Sequence, residues 1–301
     1  MSNFKSEILD RQKLISSFNK ASETYGAVSR LQKYVGEQLF ERLDYLNVPS
    51  GMILDLGAGP GTFSRLLESR FSSSGVVQLD IAQKMLHAGR AAGRQFFSRQ
   101  HYVCADADEL PFKDASMDFI FSNLMLQWSQ DTDRLFHELV RVIRPGGLLA
   151  FSTLGPDTLI ELRESWQAAD EEVHVNTFID MHDIGSALIR AGFSDPVLEV
   201  EMVELSYPGL SGLLRDLKGL GARNFNNNRR KTLTGKKRFQ GMQTAYESKR
   251  KGDRLPASYE VIFGHAWIPD NPSRRPDSAG ENLFSISLEQ IKQTLRNRFG
   301  R

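Results

Sequence analysis

Apolar residues fall into two alternating patterns over the first half of the chain. Five apolar runs have the length typical of buried strands and cover residues 52–56, 76–79, 101–105, 117–121 and 148–153. Amphipathic stretches with helical spacing lie among them at residues 62–71, 82–92 and 134–143, and the Pro and Gly of residues 144–147 end the last stretch. Strands that alternate with helices in this way predict a parallel sheet with helices on both faces.

The alternation loosens after residue 153. Helical spacing covers residues 157–169 and 180–191, and Gly192 ends the second of these helices. Strands are predicted over residues 197–205 and 259–267, on either side of a basic and largely helical segment. The sequence therefore predicts an α/β, Rossmann-like fold with a seven-stranded, mostly parallel sheet and a helical insertion before the last strand.

The residues before the first strand carry helical spacing twice, through Ile8, Ile15 and Phe18 and again over residues 31–46. Small polar residues and Gly26 break the pattern between them, at residues 21–26. We expect residues 1–48 to form a helical lid over a pocket. The main domain is expected at residues 49–268 with its insertion at about 208–254, and a linker and C-terminal helix at 269–301.

Charge is unevenly distributed along the chain. The 301 residues have a net charge of +1, yet residues 215–254 contain 13 Lys and Arg against 3 Asp and Glu. The single cysteine, Cys104, excludes an internal disulfide and favours a reducing compartment. Cys104 lies in an apolar run, so a buried structural thiol is favoured over a nucleophile.

Membrane and secretory classes are disfavoured by the absence of a long apolar run. No stretch approaches the ~18 apolar residues that cross a bilayer. The acids Glu7 and Asp10 near the start oppose both a secretory signal and a mitochondrial transit peptide. We expect a soluble, cytoplasmic protein that does not bind a membrane.

A glycine-rich turn follows the first predicted strand, with Asp55, Gly57, Gly59 and Gly61 at alternate positions. Glycine tolerates positive φ and lets backbone N–H groups approach a ligand closely. This spacing differs from the G-x-G-x-x-G dinucleotide fingerprint. It resembles the D/E-x-G-x-G-x-G pattern of class I methyltransferases, which bind S-adenosylmethionine (SAM), although a tight turn without a ligand is the alternative.

Polar residues follow the next three strands and extend this resemblance. Asp80 is placed to accept hydrogen bonds from both ribose hydroxyls of SAM, although it could also cap the helix that follows. Residues 105–112 resemble the acidic loop that contacts adenine in these enzymes, with Asp106 facing the exocyclic amine beside Ala107. Asn123 ends the fourth strand. Because parallel strands end at one edge of a sheet, these residues are expected to converge on one crevice.

Motifs outside the cofactor half point to one family. They are SNLMLQW at 122–128, LGPDTLIELR at 154–163, FIDMHDIG at 178–185, RDLKGLGA at 215–222 and LPASYEVIFGHAW at 255–267. With them, residues 15–267 resemble the malonyl-acyl-carrier-protein O-methyltransferases of biotin synthesis. The resemblance implies methyl transfer from SAM to the free carboxylate of a malonyl thioester. A carboxylate is already a nucleophile at neutral pH, so no catalytic base and no metal are expected.

The acceptor pocket has four candidate residues. Tyr25, Gln127 and Trp128 are predicted to form its walls, although Tyr25 and Trp128 could instead only pack against the N-terminal helices. Arg215 is predicted to hold the carboxylate from a partly buried position, with an ion pair to a neighbouring acid such as Asp216 as the alternative. His182 and His265 are interpreted as structural.

The basic segment is predicted to dock the carrier protein. Carrier proteins of this kind are acidic, so a positive segment would steer and orient them. The expected contacts are Arg229, Arg230, Lys231, Lys236, Lys237 and Arg238. Nucleic acid is disfavoured because the segment has few aromatic residues and no known binding motif.

Three other functions remain open from the sequence. A methyltransferase for quinones or other small molecules would share the glycine turn but would not explain the basic insertion. The mitochondrial complex I assembly factors resemble the same family and act on a protein partner. A binding module with an inactive cofactor site is the third.

Overall fold

The computed structural model describes residues 9–93, 100–170, 172–222, 224–225 and 235–270. Its sheet contains the seven strands β1 (Met52–Leu56), β2 (Gly75–Asp80), β3 (Gln100–Cys104), β4 (Met117–Asn123), β5 (Ile143–Leu154), β6 (Ser194–Tyr207) and β7 (Leu255–Trp267). The strand order is β3-β2-β1-β4-β5-β7-β6, and β7 runs antiparallel to both of its neighbours. The predicted fold class is therefore confirmed, including the departure from parallel winding at the end of the sheet.

Helices cover both faces and the carboxyl edge of the sheet. They are α1 (Arg11–Ala21), α2 (Tyr25–Val28), α3 (Arg30–Arg42), α4 (Thr62–Arg70), α5 (Gln83–Ala92), α6 (Thr132–Val142), α7 (Ile160–Gln167), α8 (Met181–Ala191), α9 (Leu210–Gly219) and α10 (Lys236–Glu247), with short 3-10 helices at Leu43–Tyr45 and Leu126–Trp128. Among the described helices, none is long and apolar enough to cross a membrane.

The central strands are apolar on both faces because both faces are covered. Within β1, Ile53 packs into the core beneath α3, whereas its neighbour Leu54 packs into the core beneath α6 and α8. Phe119 and Ile120 of β4 divide in the same way, and all four side chains are fully buried. Strands buried on both faces read as continuous apolar runs, which is why the pattern of the sequence located them.

Several predicted boundaries differ from the structure, including the starts of β6 and β7, which lie three and four residues earlier than predicted. The backbone explains two of the differences. Strand β5 begins at Ile143 and includes the Pro-Gly-Gly segment, which was expected to lie outside it. Gly146 adopts a φ of 74° and donates to the carbonyl oxygen of Ile268 at 2.9 Å, so the segment is held in the strand. Helix α7 begins at Ile160 because Leu159 has a φ of 55°, which is incompatible with a right-handed helix.

The N-terminal helices pack on the insertion between β6 and β7. The Ser17 hydroxyl donates to the carbonyl oxygen of Gly221 at 3.1 Å, and the Thr24 hydroxyl donates to that of Gly219 at 2.9 Å. These contacts connect α1 and α2 to the end of α9 across about 200 residues of sequence. The predicted C-terminal linker and helix lie outside the described residues beyond residue 270.

The prediction that Cys104 is buried is wrong. The thiol is exposed, and its Sγ donates to the carbonyl oxygen of Ile81 at 3.7 Å. Strand β3 is an edge strand that pairs only with β2 among the described strands, so its residues are covered less than those of β1 and β4. An apolar run on an edge strand does not by itself bury each member.

Candidate active site

The glycine turn after β1 leaves room for a ligand at one position. The N–H groups of Gly57 and Ala58 both donate to the carbonyl oxygen of Leu79, at 2.8 and 2.9 Å, and these bonds connect the turn to β2. A Cβ at Gly57 would lie 2.3 Å from Met125, and one at Gly61 would lie 2.3 Å from Gln78. At Gly59 the nearest atom, on the Tyr25 ring, would be 3.9 Å away. Gly57 and Gly61 therefore make room for the side chains of Met125 and Gln78, whereas Gly59 faces an open cavity.

Asp80 closes the next strand at the wall of that cavity. Its Oδ2 accepts from the Gly59 N–H at 2.9 Å and its Oδ1 accepts from the Ala82 N–H at 2.7 Å, so it orders both the glycine turn and the backbone just before α5. Each carboxylate oxygen can accept a second hydrogen bond. Burial raises the pKa of Asp80 to about 6, and further donors would stabilise its charged form. The site therefore fits a ligand with neighbouring hydroxyl groups, such as ribose.

Asp55 lies behind the turn and does not line the cavity. Its buried carboxylate accepts a hydrogen bond from the hydroxyl of Ser64, which fixes the first turn of α4 to β1. Burial raises the pKa of Asp55 to about 7 against the opposing effect of the Ser64 hydrogen bond. Its contacts are thus those of a residue that positions the turn.

The raised pKa of Asp55 predicts how the Asp55→Asn variant depends on pH. The folded pKa of about 7 exceeds the reference value of 3.8, so the wild-type protein loses stability as pH rises between these values. Asparagine stays neutral. Between pH 5 and 7 the free energy of unfolding of the wild type should therefore fall, relative to that of the variant, by about 1.4 kcal/mol per pH unit.

Chemical denaturation at several pH values measures this difference. Asp180→Asn is the matched control, because backbone N–H donation by His182 lowers the pKa of Asp180 and its titration falls below this window. If the stability difference between Asp55→Asn and the wild type changed with pH as little as that of Asp180→Asn, a buried Asp55 that titrates near pH 7 would be contradicted.

The predicted adenine loop is engaged with α1. Asp106 and Ala107 line the cavity, and Asp106 forms an ion pair with Arg11. Arg11 also bonds Asp108 at 3.0 Å, and the Asp108 N–H donates to Asp106 Oδ1 at 3.0 Å. An adenine amine at Asp106 would share its carboxylate with Arg11. The sequence pattern had not indicated Arg11.

Asn123 lies on the cavity wall, but its amide has protein partners. The Nδ2 group donates to the carbonyl oxygen of Gln32 at 2.8 Å, and Oδ1 accepts from the hydroxyl of Ser152 at 2.8 Å. These bonds hold α3 against the ends of β4 and β5. Its contacts are therefore those of a residue that shapes the crevice.

A second cavity adjoins the first and shares a wall with it. The shared wall consists of Phe18, Tyr25, Leu124 and Trp128. Trp128 packs edge-on against Phe18, with ring centroids 5.3 Å apart, so it both fills space under α1 and faces the cavities. Burial and the charge of Asp80 raise the pKa of the Tyr25 phenol, which keeps it neutral. Gln127 lines the second cavity and is held by Leu124 and Thr153, at 2.7 and 3.1 Å.

Much of the polar lining of the second cavity was not indicated by the sequence. Its polar lining includes Gln32, Thr158, His174, Asn176, Asn224 and Tyr259 among leucines and other apolar side chains. These residues come from separate loops and elements, so no local spacing relates them. Of these six polar residues, only Thr158 and Tyr259 belong to motifs that the sequence had singled out, whereas apolar lining residues such as Leu154, Leu162 and Leu217 come from those motifs.

The expected partial burial of Arg215 is wrong. The buried face of α9 contains Leu210 and Leu213, and Arg215 points away from it into solvent. Asp216 pairs instead with Arg30, at 3.0 Å. Arg215 lies outside the second cavity and lines a surface cleft of about 730 Å³ between α1 and α9. Its other cationic lining residues are Lys13, Lys20 and Lys218.

The predicted docking residues divide into two groups. Arg229, Arg230 and Lys231 lie outside the described residues. Lys236 and Lys237 are exposed at the start of α10, whereas the Nε atom of Arg238 lies 3.9 Å from Asp170 Oδ2.

The two singled-out histidines have structural contacts. The Nδ1 atom of His182 lies 2.8 Å from Oδ1 of Asp180, the residue that caps α8. His265 lies half-buried on β7, and burial lowers its pKa. Within the described part of the chain, no group of three His, Cys, Asp or Glu side chains could hold a metal ion.

The parallel sheet, the glycine turn after β1 and the carboxylate after β2 define a class I SAM-dependent methyltransferase. Residues 54–151 match the family model described as a methyltransferase domain. Over 282 residues the chain is 46% identical to the malonyl-[acyl-carrier protein] O-methyltransferase of Methylovorus sp. (strain MP688), covering 92% of this chain and 95% of that protein. The chain belongs to the malonyl-[acyl-carrier protein] O-methyltransferase family.

Two further similarities concern a longer relative and a solved structure. The biotin biosynthesis bifunctional protein BioHC of Cellvibrio japonicus is 41% identical over 257 residues, which are 85% of this chain and 50% of that protein. The crystal structure of the YcgJ protein from Bacillus subtilis superimposes with a TM-score of 0.55, covering 78% of this chain and 99% of that one. At 14% identity the second similarity concerns the fold alone.

Proposed function

We propose that this protein transfers the methyl group of SAM to the free carboxylate of a malonyl group on an acyl carrier protein. The product is the malonyl methyl ester that primes pimeloyl and biotin synthesis. The family assignment supports this acceptor. The structural observation that carries the proposal is the wall of Phe18, Tyr25, Leu124 and Trp128 that the glycine-turn cavity shares with a second, largely apolar cavity.

The reaction needs alignment more than acid–base chemistry. When bound, SAM supplies a methyl group activated by the sulfonium beside it. A carboxylate oxygen of the acceptor attacks that methyl, the sulfur–carbon bond breaks, and its electron pair remains on sulfur. A carboxylic acid with a pKa of ~4 is ionised at neutral pH, so no protein base is required. Positioning in a dry cavity can supply roughly 7–11 kcal/mol of the barrier reduction.

The residues of this chain divide the remaining tasks. Gly59 permits close approach of the ligand to the backbone, and Asp80 accepts hydrogen bonds from the ribose hydroxyls. Asp106 and Ala107 border the adenine. Tyr25 and Trp128 separate the reacting groups from water where the cavities meet.

The carrier protein docks on the positive surface beside the lid. Its acidic surface would meet Lys236 and Lys237, whereas the other predicted contacts, Arg229, Arg230 and Lys231, lie outside the described residues. The cleft that contains Lys13, Lys20, Arg215 and Lys218 provides further positive charge between α1 and α9. Arg215 therefore contributes to recognition of the carrier and not to holding the carboxylate. A cytoplasmic location is part of the proposal.

The double variant Arg215→Glu, Lys218→Glu tests the docking surface. It should lower kcat/KM for the malonyl-carrier protein by about 10- to 100-fold at low salt, because reversed charges remove the steering of an acidic partner. Malonyl-pantetheine has neither the protein nor the phosphate, so its kcat/KM should not change. The loss should shrink as ionic strength rises.

Lys113→Glu provides the control for charge reversal, because Lys113 is exposed and precedes β4, at the amino ends of the parallel strands. An equal loss in Lys113→Glu, or an equal loss with malonyl-pantetheine, would contradict docking at this cleft.

The acceptor itself is tested by incubating the protein with SAM and malonyl-carrier protein and measuring the mass of the acyl group. The expected result is the gain of one methyl group. An unchanged acyl mass, with the protein folded and SAM bound, would reject the proposal and favour a small-molecule or protein acceptor.

A further inference from the structure

The second cavity contains one group that can neutralise a carboxylate. Among its described lining residues there is no Lys or Arg, and His174 is the only side chain that can carry a positive charge. Burying an anion without a partner is costly, so a cavity that accepts one is expected to supply a charged or strongly donating group. His174 therefore needs an explanation beyond packing.

The histidine ring is held on two sides. Its Nε2 lies 2.7 Å from Asp170 Oδ1, and the ring stacks on Trp166 with centroids 3.7 Å apart and an interplanar angle of 9°. The side chains of His174 and Asp170 are only 13% and 8% exposed. Among the described residues, the structure shows no hydrogen bond at Nδ1. A proton on Nε2 satisfies Asp170, and a second proton would make Nδ1 a donor as well.

Charges of alternating sign lead from the surface to this ring. Arg238 of α10 is exposed on one side, and its Nε lies 3.9 Å from Asp170 Oδ2. That Oδ2 is buried without a hydrogen bond among the described residues. A protonated His174 extends the row from Arg238 through Asp170. The anion of the acceptor would complete it, with each charge beside one of opposite sign.

We propose that His174, fixed by Asp170 and Trp166, donates from Nδ1 to the acceptor and selects acyl groups that end in a carboxylate. This inference rests on the proposed function, which places the malonyl group in the second cavity. Methylation converts the carboxylate into an uncharged ester, so the ion pair with His174 is lost and the product binds more weakly than the substrate.

Binding of two acyl carriers to the enzyme loaded with S-adenosylhomocysteine tests this role. Malonyl- and acetyl-carrier proteins share every group except the carboxylate. In His174→Phe the affinity for malonyl-carrier should fall about tenfold or more, because a charged hydrogen bond is lost. The affinity for acetyl-carrier should stay the same. His174→Asn retains an N–H near the Nδ1 position, so its affinity for malonyl-carrier should lie between those of the wild type and His174→Phe.

Asp170→Asn and His265→Phe complete the comparison. Asp170→Asn keeps the ring in place but removes the negative charge beside it. The preference for malonyl-carrier over acetyl-carrier should therefore fall, as it does in His174→Phe. His265→Phe replaces a half-buried histidine outside the cavity and should keep the wild-type preference. Thermal unfolding and S-adenosylhomocysteine affinity show that each variant is folded.

The outcomes separate this inference from the proposed function. If the wild type methylates malonyl-carrier and His174→Phe keeps the malonyl preference, the inference is overturned and the proposed function stands. Equal losses for both carriers also overturn it, because they indicate a purely structural histidine. Absence of methylation by the wild type overturns the proposed function itself.

Discussion

Asp80→Ala is expected to weaken the binding of SAM by about 100-fold or more. In the proposed site the carboxylate accepts from two ribose hydroxyls, and each hydrogen bond to a charged group contributes about 1.5–3 kcal/mol. The wild-type side chain also accepts from the N–H groups of Gly59 and Ala82, so its removal loosens the turn as well. Calorimetric titration with SAM or S-adenosylhomocysteine measures the loss.

In Asp80→Ala, the loss of hydrogen bonds to the protein's own backbone has to be separated from the loss of the ligand contact. Asp180→Ala is the matched control, because Asp180 caps α8 through the N–H of His182 at 2.8 Å and does not line the cavities. Both variants should lose about 1 kcal/mol of stability through the missing hydrogen bonds to the backbone. Unchanged SAM affinity in Asp80→Ala would reject the cofactor site.

Gly59→Ala is expected to weaken SAM binding by about 10- to 100-fold through a single added methyl group. The Cβ would project into the space that Gly59 leaves open, where the proposed function has the ligand approach the backbone. Overpacking of a well-fitted site costs about 1–3 kcal/mol, which corresponds to this range. The chain offers a close control in Gly252, whose φ of 61° resembles the 53° of Gly59 and where an added Cβ would have no described neighbour within 4 Å.

Gly252→Ala therefore introduces the same backbone strain at positive φ, at a position that does not line the cofactor cavity. Each variant should lose about 1 kcal/mol of stability, as measured by denaturation, because an L-residue resists positive φ. Only Gly59→Ala should lose affinity for SAM. Similar affinities in the two variants would show that the turn does not contact the cofactor.

The cofactor half could be predicted because its signals are local in sequence. Strands β1 and β4 are buried on both faces and read as apolar runs, and the glycine turn with Asp80 follows from residues close to strand ends. What the sequence could not show is the use of each polar group. Asp55 and Asn123 have the right spacing, yet their side chains bond Ser64 and Gln32 within the protein.

The acceptor half was less predictable because its residues meet only in the folded chain. Arg215 follows Leu213 by two residues, which is about 200° around a helix, so burial of the leucine directs the arginine outward. His174 lies in a loop without periodicity, and its pairing with Asp170 and stacking on Trp166 depend on the path of that loop. Neither contact leaves a pattern in the sequence.

The most direct test of carboxylate methylation is to locate the transferred methyl group. The malonyl methylene lies between two carbonyl groups and is itself acidic, so methylation at carbon would give the same mass as methylation at oxygen. SAM with a carbon-13 methyl group and malonyl-carrier protein distinguish the two by NMR of the acyl product. We expect one labelled methyl bonded to the former carboxylate oxygen. A label on the methylene carbon, or no label on the malonyl group, would contradict carboxylate methylation.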